Sequence, residues 1–238
     1  MIKTYKTTLS SKEQLNFDIY LFTFTLKDPS ILEFVAGQYL ILFVPDPSGT
    51  HLRRLYSIAS SPLKKDNFEL LVQIVPQGKG SEYLQSLKVG DEAMFQGPAG
   101  MFTMRKNEKD IIFLATGTGI APIKSILESS PNMKSHLFWG LKTYKDIYYL
   151  EEFKKIAEEN KNFDFHICLS RETDFSGIPE EVRKFFTLGR ITQSFEEKYL
   201  NSENDFYLCG GKEVVESLKE YLLGKGTVKE NIFFEKFT

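Results

Sequence analysis

Ile111-Ile112-Phe113-Leu114-Ala115-Thr116-Gly117-Thr118-Gly119-Ile120-Ala121-Pro122 joins an apolar run to a helical pattern through a glycine turn, and the rest of the fold follows from that junction. Residues 111–115 carry no polar side chain and no alternation, the pattern of a strand buried on both faces of a parallel sheet. Gly117 and Gly119 let the backbone turn tightly and approach a ligand where a Cβ would clash. Pro122 suits the first turn of a helix that continues through Ile123, Ile126 and Leu127, because its missing N–H would have lacked a partner there. Free N–H groups and the positive end of the helix dipole then favour an anion over the turn, such as a dinucleotide phosphate. A tight strand-to-helix connection with no ligand fits the same residues. Pro122 also departs from the G-x-G-x-x-G dinucleotide fingerprint, which is unmatched here.

The 238 residues can hold one large domain or two modest ones. With 26% charged and 42% hydrophobic residues, the composition is that of an ordinary soluble protein. A formal net charge of −2 argues against a nucleic-acid binder. The opening Met1-Ile2-Lys3-Thr4-Tyr5 lacks the apolar core of a signal peptide, and no later run reaches membrane-spanning length. A cytoplasmic protein with no membrane span is expected. Cys168 and Cys209 are the only cysteines, so these residues alone build neither a four-cysteine iron–sulfur cluster nor a thiolate zinc site. His51, His136 and His166 are scattered without metal-ligand spacing, and no metal site is expected.

Two halves differ in texture. Residues 1–104 read as short alternating strands, at 19–26, 38–44 and 68–75, separated by turn residues at Asp28-Pro29, Pro45-Asp46-Pro47-Ser48-Gly49 and Gly97-Pro98-Ala99-Gly100. That spacing predicts an antiparallel barrel or sandwich. Residues 105–238 alternate apolar strands, at 111–115, 136–139, 163–169 and 206–209, with helical patterns near 122–129, 149–158 and 212–222. This is the rhythm of an α/β doubly wound parallel sheet.

The first half carries two polar groupings. In Arg54-Leu55-Tyr56-Ser57, Arg54 and Tyr56 project to one side of an extended segment, with Leu55 and Ser57 on the other. Arginine offers a fork for phosphate, tyrosine a flat face for a ring, and serine a small hydroxyl. An ordinary strand edge fits the pattern too. Further on, Gln77-Gly78-Lys79-Gly80-Ser81-Glu82 reads as a glycine loop opening a short helix with Ser81 at its N-cap, where a diphosphate would find free N–H groups. A capped surface turn is the alternative.

In order along the chain, Arg54-x-Tyr56-Ser57, Gly78-x-Gly80-Ser81, Gly117-Thr118-Gly119-Ile120-Ala121-Pro122 and Cys209-Gly210-Gly211 resemble the motifs of the ferredoxin–NADP reductase family. The similarity runs nearly end to end, and a proline in the glycine turn is what this family shows. The resemblance implies an N-terminal six-stranded antiparallel β-barrel holding FAD and a C-terminal domain holding a nicotinamide dinucleotide. Arg54 would pair with the flavin diphosphate, Tyr56 would lie against the isoalloxazine, and Ser57 would bond near its N5. Gly80 and Ser81 would hold the diphosphate, while Gln73, Ile74 and Val75 line the flavin edge. Thr118 would sit where flavin and nicotinamide meet. Cys209, followed by Gly210, would contact the nicotinamide. Glu235-Lys236-Phe237 resembles the family's glutamate and aromatic beside the flavin, although Thr238 follows here where the family aromatic is often final. Ser57, Cys209 and Glu235 are thus expected at the reacting atoms.

Ser170 and Arg171, with Arg190, resemble the family's donors to a 2′-phosphate, which implies NADPH in preference to NADH. Pairing of Arg171 with Glu172 or Asp174 is the alternative. The implied activity passes hydride from nicotinamide C4 to flavin N5 and releases the electrons singly to a separate carrier, ferredoxin or flavodoxin. Both carriers are typically acidic, and Lys64, Lys65, Lys79, Lys142 and Lys145 are candidate contacts. A monomer is expected. Two other readings stay open: an NADH-dependent reductase serving an oxygenase, a cytochrome or free flavin, and a flavin-binding electron-transfer subunit that does not itself turn over nicotinamide.

Overall fold

The computed structural model describes residues 2–195, 197–200 and 203–237. The final Thr238 lies outside the described residues. The chain forms two compact units, Met1–Met104 with Ala121–Ser129, and Arg105–Ile120 with Ser130–Thr238. Residues 121–129, expected with the second half, therefore group with the first.

The first unit contains β1 (Lys3–Gln14), β2 (Ile19–Asp28), β3 (Tyr39–Pro45), β4 (His51–Ser57), β5 (Asn67–Gln73), α1 (Lys79–Ser86) and β6 (Glu92–Ala99). The strands form a six-stranded sheet in the order β4-β3-β6-β1-β2-β5, antiparallel throughout. A bridge between Ile58 and Leu70 brings the two edges together, so the sheet curls into an incompletely closed barrel. Alternation explains the curl: Phe22, Phe24, Leu40, Leu42 and Val44 point inward from β2 and β3 and are buried. Phe24, Phe68 and Phe95 pack ring to ring at 5.0–5.6 Å, each burial worth roughly 1.5–3 kcal/mol. Leu84 of α1 joins the same core. Two boundaries differ from those the sequence pattern predicts. Gly97-Pro98-Ala99, with the composition of a turn, lies inside β6, where Gly97 pairs with Lys3 and Ala99 with Tyr39. Ile74 and Val75 fall beyond the end of β5.

The second sheet is built from β7 (Asp110–Thr116), β8 (Ser135–Leu141), β9 (Phe163–Leu169), β10 (Phe186–Leu188), β11 (Asn204–Gly211) and β12 (Ile232–Phe237). Its helices are α2 (Ile120–Ser129), α3 (Leu150–Glu159), α4 (Ile191–Ser194) and α5 (Lys212–Gly224), with α2 grouped in the first unit. The order is β10-β9-β8-β7-β11-β12 and every pairing is parallel. Residues 111–115 are buried on both sides, as the unbroken apolar run requires. Ile112, Leu114, Phe138, Phe206 and Leu208 pack with Val215, Leu218 and Leu222 of α5. The alternate side chains Trp139 and Phe165 meet Phe153 of α3 at 5.8 and 5.7 Å, so α3 and α5 cover opposite faces. The strands run outward from β7 in one direction and from β11 in the other. The crevice at the carboxyl ends of β7 and β11 is thus the switch point at which open α/β sheets bind ligands. No described helix is long and apolar enough to cross a membrane.

Candidate functional site

In the antiparallel unit, β4 delivers Arg54 and Tyr56 to the start of α1. A Cβ on Gly80 would stand 2.6 Å from the Tyr56 hydroxyl and 2.8 Å from Arg54 Cγ, so glycine is what lets these two side chains close on the helix. The Arg54 guanidinium is exposed, donates to its neighbour's carbonyl at Arg53, and has no carboxylate partner among the described residues. Burial pushes the Tyr56 phenol up to about 12, against the opposing pull of Arg54, so it stays protonated. Ser57 is buried at the end of β4, opposite Tyr39.

The helix start differs from expectation. Gly78, not Ser81, is the N-cap, and no side chain caps it. Ser81 lies inside the first turn, where its Oγ accepts the Val75 N–H at 3.1 Å and donates to the Gly78 carbonyl at 3.0 Å. Ser81 thereby folds the loop, and the N–H groups of Lys79, Gly80 and Ser81 are left without intrahelical acceptors. An uncapped helix start beside an uncommitted guanidinium and a protonated phenol fits the diphosphate and ring of a flavin dinucleotide. Gln73 is engaged elsewhere, its amide donating to Asp18 Oδ2 at 2.7 Å, while Val75 is half-exposed.

In the parallel sheet, the expected residues gather at the carboxyl ends of the strands. β7 ends in a single 3-10 turn, Gly117–Gly119, that runs straight into α2, with Pro122 in the helix's first turn. Gly117 has φ +51°, a left-handed conformation that favours glycine, and its carbonyl accepts the Trp139 indole N–H at 3.0 Å. Gly119 is also held close by packing. Its Cβ would meet the Cys209 carbonyl oxygen at 2.2 Å and the Gly210 nitrogen at 2.7 Å, so glycine lets the turn lie against β11. Gly210, at φ +151°, has the Thr116 hydroxyl 2.1 Å from its would-be Cβ. Thr118, between the two glycines, is partly exposed.

Register brings Cys209 beside Ala115 on one side and Glu235 on the other, with Phe237 opposite Gly211. Cys209 is 1% exposed, and burial, then the Glu235 carboxylate, hold its thiol well above the ordinary range against a hydrogen bond from Gly210. It is a neutral thiol rather than a thiolate. Across β8, Ser170 follows β9, its Oγ donating to the Leu141 carbonyl at 3.1 Å, and Arg171 and Arg190 are both exposed. Neither carboxylate that could have paired with Arg171 does so: Glu172 accepts the Tyr144 N–H and Asp174 the Ser176 N–H. Of the candidate docking lysines, Lys64 pairs with Glu69 and Lys65 with Glu33. Trp139 shapes the glycine turn through its indole N–H, and Thr116 packs against Gly210, a role that escapes sequence reasoning because a strand threonine carries no local signal. Among the described residues, no cluster of metal-ligating side chains occurs.

A curled antiparallel sheet with an anion-ready helix start, followed by a parallel sheet with a glycine turn at its switch point, defines a flavin- and nicotinamide-binding oxidoreductase. Residues 6–104 match the family described as oxidoreductase FAD-binding domain, and residues 113–220 the one described as oxidoreductase NAD-binding domain. The toluate 1,2-dioxygenase electron transfer component of Pseudomonas putida is 32% identical over 240 residues, covering 98% of this chain and 67% of its own length. The propane 2-monooxygenase reductase component of Rhodococcus jostii is 29% identical, covering 100% of this chain and 64% of its own. The chain thus spans about two-thirds of the length of these relatives. The crystal structure of the Amycolatopsis cytochrome P450 reductase GcoB superposes with a TM-score of 0.86 at 28% identity, covering 100% of this chain and 70% of that one. A ferredoxin NADP+ reductase from Neisseria gonorrhoeae shares the fold, with a TM-score of 0.81 at 20% identity and 99% and 98% of the two chains covered. The chain belongs to the ferredoxin reductase-like family of FAD- and NAD(P)-binding oxidoreductases.

Proposed function

We propose that this chain takes hydride from NADPH in preference to NADH and hands the electrons singly to a separate ferredoxin or flavodoxin that supplies an oxygenase. Bound flavin supplies the chemistry that accepts a hydride and releases single electrons. Arg54 and the start of α1 hold its diphosphate, Tyr56 lies against the ring system, and Ser57 donates a hydrogen bond to the reacting edge. The Gly117–Gly119 turn receives the nicotinamide dinucleotide, with Thr118 between its glycines. Cys209 offers a small neutral side chain to the nicotinamide ring. Glu235 and Phe237 bound the same end of the sheet and limit the access of water. Ser170, Arg171 and Arg190 bind the 2′-phosphate.

The observation that carries the preference for NADPH is that Arg171 is exposed and forms no ion pair with Glu172 or Asp174. Support for an oxygenase at the end of the route comes from relatives named as electron-transfer or reductase components of oxygenases. With two cysteines among these residues, an iron–sulfur centre has to come from another molecule or segment. A second reading, an NADH-dependent reductase, is favoured by a 32% identical relative that is one subunit of the Na(+)-translocating NADH-quinone reductase of Actinobacillus pleuropneumoniae. Steady-state reduction of a ferredoxin or flavodoxin with each nucleotide separates the two. The kcat/KM ratio is expected to favour NADPH, and Arg171→Ala to lower it by about ten-fold, the loss of one charge-assisted phosphate contact. A ratio near unity, or one favouring NADH, contradicts the preference.

A further inference from the structure

Helix α2 continues directly from the Gly117–Gly119 turn, yet its polar side chains are bonded into the antiparallel unit. Lys124 is only 7% exposed. Its ammonium lies 2.6 Å from Glu128 Oε1 and 3.4 Å from Glu69 Oε2, and donates to the Ala59 carbonyl at 3.3 Å. The surrounding groups are held in turn. Glu69 also meets Lys64 at 3.2 Å, its N–H donates to Ser60 Oγ, and its carbonyl accepts the Ala59 N–H. Glu128 Oε2 accepts the Ser61 N–H at 3.1 Å, and the Ser125 hydroxyl donates to the Ser60 carbonyl at 2.7 Å. Residues 59–61 follow closely on the strand that ends at Ser57. One buried cluster within the first unit therefore joins residues 59–61, just past β4, to residues 124–128 of α2.

Stability is a poor explanation for this arrangement. Burying an ammonium and two carboxylates costs about as much desolvation as their attraction returns, and apolar side chains of similar volume would hold the helix equally well. Directional bonds from α2 side chains to three consecutive residues fix where the helix sits along the segment, which an apolar contact leaves free to slide. We propose that the Lys124 cluster is a positioning device for hydride transfer, with Lys124 the positioning residue that fixes the segment leaving Ser57 against residues 124–128 of α2. This inference rests on the proposed reading that the chain oxidises a reduced nicotinamide.

The test uses the full chain loaded with FAD, mixed anaerobically with increasing NADPH, so that the limiting rate of flavin reduction and the nucleotide Kd are read separately. Lys124→Met is expected to lower the limiting rate by about ten-fold or more while Kd and flavin retention stay unchanged, and Lys124→Arg to recover most of the rate. Because Lys124→Met leaves Glu128 without its cation and Glu69 with Lys64 alone, Ser125→Ala serves as a milder probe that removes the bond to Ser60 without burying a charge; it is expected to slow the same step to a smaller extent. Wild-type limiting rates in Lys124→Met and Ser125→Ala overturn the inference, as does Lys124→Arg performing no better than Lys124→Met. A wild-type chain that accepts no hydride from either nucleotide overturns instead the functional reading on which the inference stands.

Discussion

Gly119→Ala is expected to give a protein that still holds flavin but oxidises reduced nicotinamide about 100-fold more slowly, the scale of loss that an ångström of misplacement produces. The added methyl would stand 2.2 Å from the Cys209 carbonyl oxygen and 2.5 Å from its carbon. Those are backbone atoms of a central strand, paired on both sides by β7 and β12, so they have no rotamer through which to retreat. The turn must instead lift from β11, carrying Thr118 with it and separating Gly117 from the Cys209-Gly210 edge. Overpacking of this kind also costs about 1–3 kcal/mol of stability. The matched control is Gly224→Ala at the end of α5, where a Cβ meets nothing within 4 Å and both rate and stability should hold. Flavin content and limiting rate measured on the same preparations check the prediction; a Gly119→Ala variant with wild-type nicotinamide oxidation would sink it.

Arg54→Ala should have its effect on the other cofactor. The guanidinium is exposed and makes one hydrogen bond to its neighbour's carbonyl, so its removal leaves the fold intact. A charge-assisted bond to phosphate is worth about 1.5–3 kcal/mol, which weakens flavin binding by about 10- to 100-fold. The expected preparation loses its yellow colour on dialysis while its melting temperature, measured free of flavin, matches that of the wild type. Full retention of flavin after dialysis removes Arg54 from the diphosphate site.

Much of this is legible in the chain itself, for reasons that differ between elements. The run from Ile111 to Ala115 announces a doubly buried strand because nothing polar interrupts it, and the halves separate because alternation gives way to strand–helix rhythm. The proline that spoils the usual dinucleotide fingerprint is informative for the same reason: it places the helix start within a turn of the glycines. Legibility fails where a residue's purpose is set by a distant partner. Gly119 reads as a ligand glycine, yet the backbone it accommodates belongs to β11, far along the sequence. Ser81 has the composition of an N-cap, but its hydroxyl bonds back to Val75 and Gly78, a choice that depends on the loop's path. Gly97-Pro98 carries turn residues and still closes a strand, because β1 and β3 supply its partners. Lys124 is the clearest case: its partner Glu128 is readable at i+4 on a helix, whereas Glu69 is recognisable only after folding.

Helix α2 is placed differently by sequence rhythm and by packing. Sequence rhythm assigns it to the parallel sheet as the crossover after β7, while its polar contacts join it to the antiparallel unit. Rhythm reports connectivity, whereas burial and bonding decide where an element is anchored.

A flavin on this chain should be reduced by a nicotinamide nucleotide and reoxidised by a one-electron carrier. Anaerobic titration of the FAD-loaded chain with NADPH, followed by oxidised ferredoxin or flavodoxin, tests it directly. Stoichiometric loss of the visible flavin absorbance on adding the nucleotide, and its return on adding the carrier, is the expected result. A flavin band that persists through saturating NADPH and NADH would show that neither nucleotide reduces it.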